Sequence, residues 1–371
     1  MWSASIVRFE YPICFLLLLA QGCARQRERA VIGDAFAIAG PPTVQVARSE
    51  IAAWDSSRAP AVSIVVQPQG LAGDPVDVEV ERAQRLVAIP DLVGVVGHGG
   101  SRASLAAAPV YNAAHVPQIV PTGTSRLLKR AGRWTFMLAP DDSVEGAFIA
   151  RFVTERLAAR RISVFFVRDE YGFGLRDGLV AGLRLRGLKV VDQVSYQRIN
   201  DFRTLVSASF RRGVPDAVVV AGRAGDAGLI ARFVRRAAPR VKIVVGDGAL
   251  VLPELADSAG PAADSIYAVA CWLPNAPDSV SRAFVRRFRL LAGRDPQPYE
   301  AMAHDAIMVL ASAIRAVGTD RSAIRRYLLA LGVSRPPYLG VTGPITFGPE
   351  RPSRLVMARL RGDSLIRVPD R

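Results

Sequence analysis

The chain has 371 residues, 50% of them hydrophobic and 22% charged, which excludes a disordered or collagen-like polypeptide and suffices for two ordinary domains with proper cores. Its formal charge of +15 raises nucleic acid or an anionic membrane as partners. The basic residues are scattered through helical patterns, only Lys129, Lys189 and Lys242 are lysines, and no basic run carries interleaved aromatics, so no nucleic-acid partner is expected.

Residues 1–23, MWSASIVRFEYPICFLLLLAQGC, place one arginine ahead of a short apolar core from Ile13 to Ala20. That core falls far short of the roughly 20 residues that span a bilayer, and an export signal is expected instead. Ending on Gly22 and Cys23, the segment resembles a bacterial lipoprotein signal, in which Cys23 becomes the lipidated first residue and the membrane tether. Ala20 stands where such signals have leucine and Gln21 where they have a small residue, so ordinary cleavage stays open. With Cys14 removed and Cys23 lipidated, Cys271 is left alone in an apolar strand as a small hydrophobe, and no intramolecular disulfide is available.

Short apolar runs then alternate with helix-period segments, the pattern of β-α units around parallel sheets. The expected strands are AVSIVVQ from Ala61, LVGVVGH from Leu92, ISVFFVR from Ile162, DAVVVAG from Asp216, VKIVVGD from Val241 and SIYAVAC from Ser265. Helices are expected over 77–89, 102–114, 144–160, 171–186, 201–213 and 223–238, with start signals at Asp142–Ser143 and at Asp201. Two long helical stretches near 278–293 and 297–317 precede a β-rich end, and no low-complexity linker divides the chain. Two α/β halves without a linker imply lobes joined by crossing strands, with a cleft between them.

The stretch VVGHGGSRASLAAAPVYNAAHVPQIVPTGTS, residues 95–125, carries the most chemistry. A glycine-rich turn between strand and helix holds anions, because free N–H groups and the helix dipole converge there. Gly97, Gly99 and Gly100 lack the third glycine of a dinucleotide fingerprint, so a phosphate of that kind is disfavoured. A second turn, Thr122–Gly123–Thr124, follows the next apolar run. Two neutral turns offering N–H and hydroxyl donors can satisfy both oxygens of a carboxylate, each charge-assisted bond contributing about 1.5–3 kcal/mol.

That stretch, with VFFVRDEYGFGLRDGL, DFRTLVSASFRRGVPDAVVVAGRAGDAGLIARFVRR, VVGDGALVLPELADSAGPAADSIYAVACW, DPQPYEAMAHDAIMVLASAI and YLGVTGPITFGPERP, resembles the type I periplasmic solute-binding proteins of ABC transporters, specifically the leucine/isoleucine/valine-binding family. The likeness spans nearly all of residues 60–371. It implies an α/β fold of two Rossmann-like lobes joined by three crossovers. Lobe one would comprise residues 30–141 plus 273–340, and lobe two 142–272 plus 341–371. A small carboxylate-bearing solute, an amino acid or a relative, would be trapped by hinge closure in the periplasm or cell envelope and passed to a permease, without a cofactor.

By this resemblance the ligand carboxylate lies against Ser101, the backbone at Thr122 and Gly123, and the Thr124 hydroxyl. Asp247, at the end of an expected strand, takes the ammonium, although capping a helix near Ala249 is its plain alternative. Tyr171 walls the ligand from the second lobe, Tyr299 packs from the first, and Asp142 sits at the first crossover near the ammonium. The family's first β-α turn carries a G-P-x-S-G-like loop and a closing aromatic, whereas IGDAFAIAGPPTVQVARSEIAAWD is alanine-rich and offers no tyrosine. Arg223, where relatives place an aromatic or small residue, would select a second negative charge in the cleft or disfavour an ammonium altogether, or else turn to solvent and leave an ordinary neutral amino acid as ligand.

An enzyme is disfavoured: there is no G-x-S-x-G elbow and no metal-ligand spacing, and His98, His115 and His304 are far apart. A ligand-sensing or envelope-assembly lipoprotein with the same fold and no transporter stays open as the alternative.

Overall fold

The alternation of apolar and amphipathic segments becomes two parallel sheets in a computed structural model of the chain. It describes residues 28–36, 39–54, 60–67, 75–197, 201–348 and 354–369. The expected export signal and the expected lipidation at Cys23 lie outside the described residues.

In the first lobe β1 (Arg29–Asp34), α1 (Gly40–Ala52), β2 (Ala61–Val66), α2 (Val76–Val87), β3 (Leu92–Val96), α3 (Gly100–Ala113), β4 (Gln118–Val120) and β5 (Thr135–Met137) form a five-stranded parallel sheet of order β2-β1-β3-β4-β5. The chain crosses to the second lobe, where α4 (Asp142–Arg151), β6 (Ile162–Val167), α5 (Glu170–Arg184), β7 (Val190–Tyr196), α6 (Phe202–Arg211), β8 (Ala217–Ala221), α7 (Ala224–Ala237), β9 (Lys242–Val245), α8 (Leu252–Ala259) and β10 (Ile266–Ala270) follow. It returns as α9 (Ser279–Ala292), α10 (Pro298–Val317), α11 (Arg321–Ala330) and the hairpin β11 (Tyr338–Gly340) and β12 (Gly343–Ile345). After a third crossover β13 (Val356–Arg361) pairs antiparallel with β10, and β14 (Ser364–Arg367) with β13, completing the order β14-β13-β10-β9-β8-β6-β7.

Parallel strands covered on both faces read as unbroken apolar runs. β3, LVGVV, and β8, AVVVA, are buried at every position for that reason. α10 is apolar nearly all round because it lies in the first core, where Ile307, Leu310 and Ile314 meet Ile32, Val93 and Ile119. Ile345 and Phe347 join that core from the end of β12.

Several elements differ from expectation. β1 and α1 occupy a stretch with no expected element, and β4 and β5, at three residues each, are too short to show a period. β7 alternates in burial, as a sheet-edge strand does, and so lacks an apolar run. The helix expected over 144–160 ends at Arg151 and widens into one π turn over Phe152–Arg156.

Two packing details position the site. Aspartates start the helices: Asp141, Asp169, Asp201, Asp278 and Asp320 each accept a backbone N–H in the first turn of the helix that follows. α4 and α5 meet through glycines. A Cβ on Gly146 would strike the backbone of Gly178, and one on Gly178 would strike the Asp142 carbonyl. This close approach brings the start of α4 against α5.

Candidate functional site

The glycine turn after β3 opens onto space. A Cβ on Gly99 or Gly100 would meet nothing within 4 Å, and no side chain caps the first N–H groups of α3. Beneath the turn His98 is fully buried, its Nδ1 2.5 Å from Glu79 Oε2 and its Nε2 2.8 Å from the Tyr111 hydroxyl. Burial raises the Glu79 carboxyl, but His98 and Arg82 outweigh it and hold the group below the usual range. His98 is therefore a strut of the turn.

Ser101 is 2% exposed, and its Oγ accepts the backbone N–H of Thr124 at 3.2 Å and of Ser125 at 3.0 Å. The two expected carboxylate-binding turns are thus tied to one another, and Ser101 keeps only its hydroxyl proton to donate. Gly123 completes the junction: a Cβ there would strike Val120 and Leu128 and crowd the Gly100 carbonyl. Thr122 is half-buried in the same turn. Thr124 is buried, and its Oγ1 completes no hydrogen bond among the described residues.

The second turn leads to the second lobe. The Asp142 N–H donates to the Thr124 carbonyl at 2.9 Å across the first crossover. Capping of α4 falls to Asp141, whose Oδ1 accepts from Ser143 at 2.9 Å and from Val144 at 3.3 Å. The Asp142 carboxyl, relieved of that duty, is fully buried against Gly174 and completes no hydrogen bond among the described residues. Burial first, then the charges of Asp247, Asp141 and Asp169, push it up to about 8, against the facing Thr124 hydroxyl, which lowers it.

Asp247 lies in a short 3-10 turn, Asp247–Ala249, beyond β9. It caps no helix, since α8 begins at Leu252 without a side-chain cap. Burial raises its carboxyl, and Glu145, Arg223 and Tyr171 act in the opposite direction. The turn is held from α4, where Glu145 Oε1 accepts the Asp247 N–H at 2.8 Å, and from α5, where the Tyr171 hydroxyl accepts the Gly248 N–H at 3.0 Å.

Tyr171 is 2% exposed, so what it offers the cleft is support for the Asp247 turn rather than an open wall. Arg223 stands over the Tyr171 ring, 4.9 Å from its centroid, and donates to Asp169 Oδ2 at 2.6 Å. Its side chain is 38% exposed, yet its charge is already paired, which fits neither an unpaired cation in the cleft nor a side chain free in solvent. Tyr299, the second residue of α10, packs on the first core beside the Arg294–Glu300 ion pair.

Three residues escaped the sequence. Glu145, in the first turn of α4, carried no expected role. Gln297, where α10 begins, accepts the Leu252 N–H at 3.0 Å and so bonds one lobe to the other. Asp34, ending β1, is buried with its carboxyl pushed up to about 6, chiefly by burial. In the last two, the signal was a polar residue at an element's end. A cavity of about 590 Å³ beside β5, lined by Lys129, Pro140, Cys271 and Thr342 among others, includes none of the nine expected ligand residues. Among the described residues no group of three or more His, Cys, Asp or Glu is placed to hold a metal ion.

Comparison with known proteins agrees with this architecture. Over 232 residues the chain is 29% identical to Leu/Ile/Val-binding protein homolog 1 of Brucella suis, a match covering 61% of this chain and 60% of that protein. The chain thus spans about three fifths of the length of the curated relatives it matches. The leucine binding protein LivK of Thermotoga maritima shares the fold with a TM-score of 0.80 at 23% identity, over 92% of this chain and 98% of that one. The branched-chain amino acid transporter substrate binding protein LivJ of Streptococcus pneumoniae, solved in complex with isoleucine, gives 0.78 at 21%, over 92% and 100%. The family of periplasmic binding proteins, which are solute-binding proteins and not enzymes, matches residues 64–358, and the chain belongs to it.

Proposed function

We propose that the protein is an extracytoplasmic receptor that captures a small amino-acid-like solute between its lobes by hinge closure and delivers it to the permease of an ABC transporter. The observation that carries this reading is the convergence at the first crossover of two opposite chemistries. The uncapped N–H groups at the start of α3 suit a carboxylate, and the carboxyl of Asp142, whose N–H is bonded to the Thr124 carbonyl at 2.9 Å, with that of Asp247, whose charge acts on it, suits an ammonium. Leucine and isoleucine, named for the matched relatives, are the first ligands to test. With Arg223 already paired to Asp169, a neutral side chain is favoured over a second anion. Export, and a lipid tether at Cys23 if it is processed, would place the receptor in the periplasm.

A thermal-shift screen of the purified protein against amino acids, dicarboxylates, amides and peptides tests the reading. A ligand at about 100 times its dissociation constant stabilises the bound form by about 2.7 kcal/mol, a rise of several degrees. Selective stabilisation by amino acids is the expected result. No shift with any amino acid would move the assignment to a sensing or assembly role for the same fold.

A further inference from the structure

Glu145 was not part of the site read from the sequence, yet it lies at the centre of the acidic cluster. It is 1% exposed in the first turn of α4, and while Oε1 holds the Asp247 N–H, Oε2 completes no hydrogen bond among the described residues. The groups that face it are Asp142 on its own helix, Asp247 from the turn after β9, the Tyr171 hydroxyl from α5 and the Cys271 thiol from the second crossover. None of these is a cation. Arg223 acts on Asp247 and Tyr171 but is bonded to Asp169, and Lys129 is bonded to Asp141.

Three carboxyls so placed cannot all be ionised without a compensating charge, because a buried carboxylate lacking donors is far costlier than its acid form. Asn or Gln in these places would need no proton. Glu145 does, and burial with the neighbouring Asp247 and Asp142 charges holds its carboxyl well above the usual range.

Resting on the ligand reading above, we propose that Glu145 is a proton-holding positioning residue. It fixes the Asp247 turn through Oε1, and its O–H proton passes to water when a ligand ammonium settles beside Asp247 and Asp142. The incoming charge replaces the departing one, so the cleft keeps its net charge. A carboxylate lacking an ammonium leaves the proton in place and gains nothing from the cluster. This makes Glu145 a determinant of selectivity for ammonium-bearing ligands, and makes their affinity rise with pH while the ligand-free Glu145 holds its proton, up to tenfold per unit for one linked proton.

Infrared spectroscopy of the ligand-free protein tests the proton directly. Near neutral pH the wild type should show the carbonyl stretch of a protonated carboxylic acid that Glu145→Gln reduces, glutamine retaining the Oε1 acceptor and hence the fold. A wild-type spectrum without that band, or one unaltered by the substitution, overturns the proposal. Calorimetry with L-leucine in two buffers of different ionisation enthalpy then tests the linkage. The wild type should release about one proton more per leucine bound than the variant, any proton given up by Asp142 being common to both. Equal release overturns the role of Glu145. If leucine does not bind, the ligand reading is what fails for that amino acid, and the infrared comparison still decides the proton.

Discussion

The Ser101 hydroxyl oxygen accepts the Ser125 backbone N–H at 3.0 Å, and the Thr124 N–H at 3.2 Å, so the turn after β4 hangs on a side chain from the turn after β3. Ser101→Ala removes the acceptor from two amides in a buried setting. Leaving such groups unsatisfied costs about 1–3 kcal/mol, which urea denaturation would register as a lower midpoint with an unaltered slope. Affinity should fall as well, since both turns lose their mutual alignment. An unchanged midpoint would mean that the bond contributes nothing to the turn.

Asp142 carries a prediction about pH. Its folded carboxyl keeps its proton up to about 8, whereas in the unfolded chain it loses it near the ordinary aspartate value of roughly 4. Between those limits the unfolded state binds fewer protons, so the stability of the ligand-free protein falls as pH rises. Asp142→Asn removes this contribution. Its stability advantage over the wild type should grow toward the alkaline end and vanish in acid. Parallel stability-against-pH curves for the two proteins would show that Asp142 is ionised in the fold.

The contact of α4 with α5 depends on glycine. A methyl group on Gly178 would strike the Asp142 carbonyl and the Ser143 backbone, where no flexible side chain can yield. Gly178→Ala should cost about 1–3 kcal/mol or more through forced separation of the helices. Gly187→Ala, a control in open space, should cost less, although its positive φ carries its own strain. Differential scanning calorimetry of both variants makes the comparison.

Tyr171→Phe keeps the ring beneath Arg223 but removes the acceptor of the Gly248 N–H. The Asp247 turn then rests on Glu145 alone. A stability loss of about 1 kcal/mol and weaker amino-acid binding are expected, the latter by titration calorimetry. Binding as tight as the wild type would show that the Glu145 bond suffices.

Much of this molecule was legible in its residues. Unbroken runs such as LVGVV and AVVVA could only be strands covered on both faces, and the amphipathic stretches between them could only be the covering helices, so the parallel α/β class followed. The glycine-serine turn between β3 and α3 was legible in the same way, through properties of residues adjacent in the chain. What adjacency does not contain is which groups meet. Asp141 and Asp142 are equivalent as residues, yet one caps α4 and the other buries a carboxyl that completes no hydrogen bond among the described residues, α5 approaching it through glycines. Glu145 reaches Asp247 across 102 positions, and Arg223 reaches Asp169 across 54. Local periodicity is set by neighbours along the chain, whereas burial and the coupling of charges are set by neighbours in space. The sequence therefore determined the layers and the glycine-serine turn, and only the packing of α4, α5 and the turn after β9 decided which carboxyls are buried together.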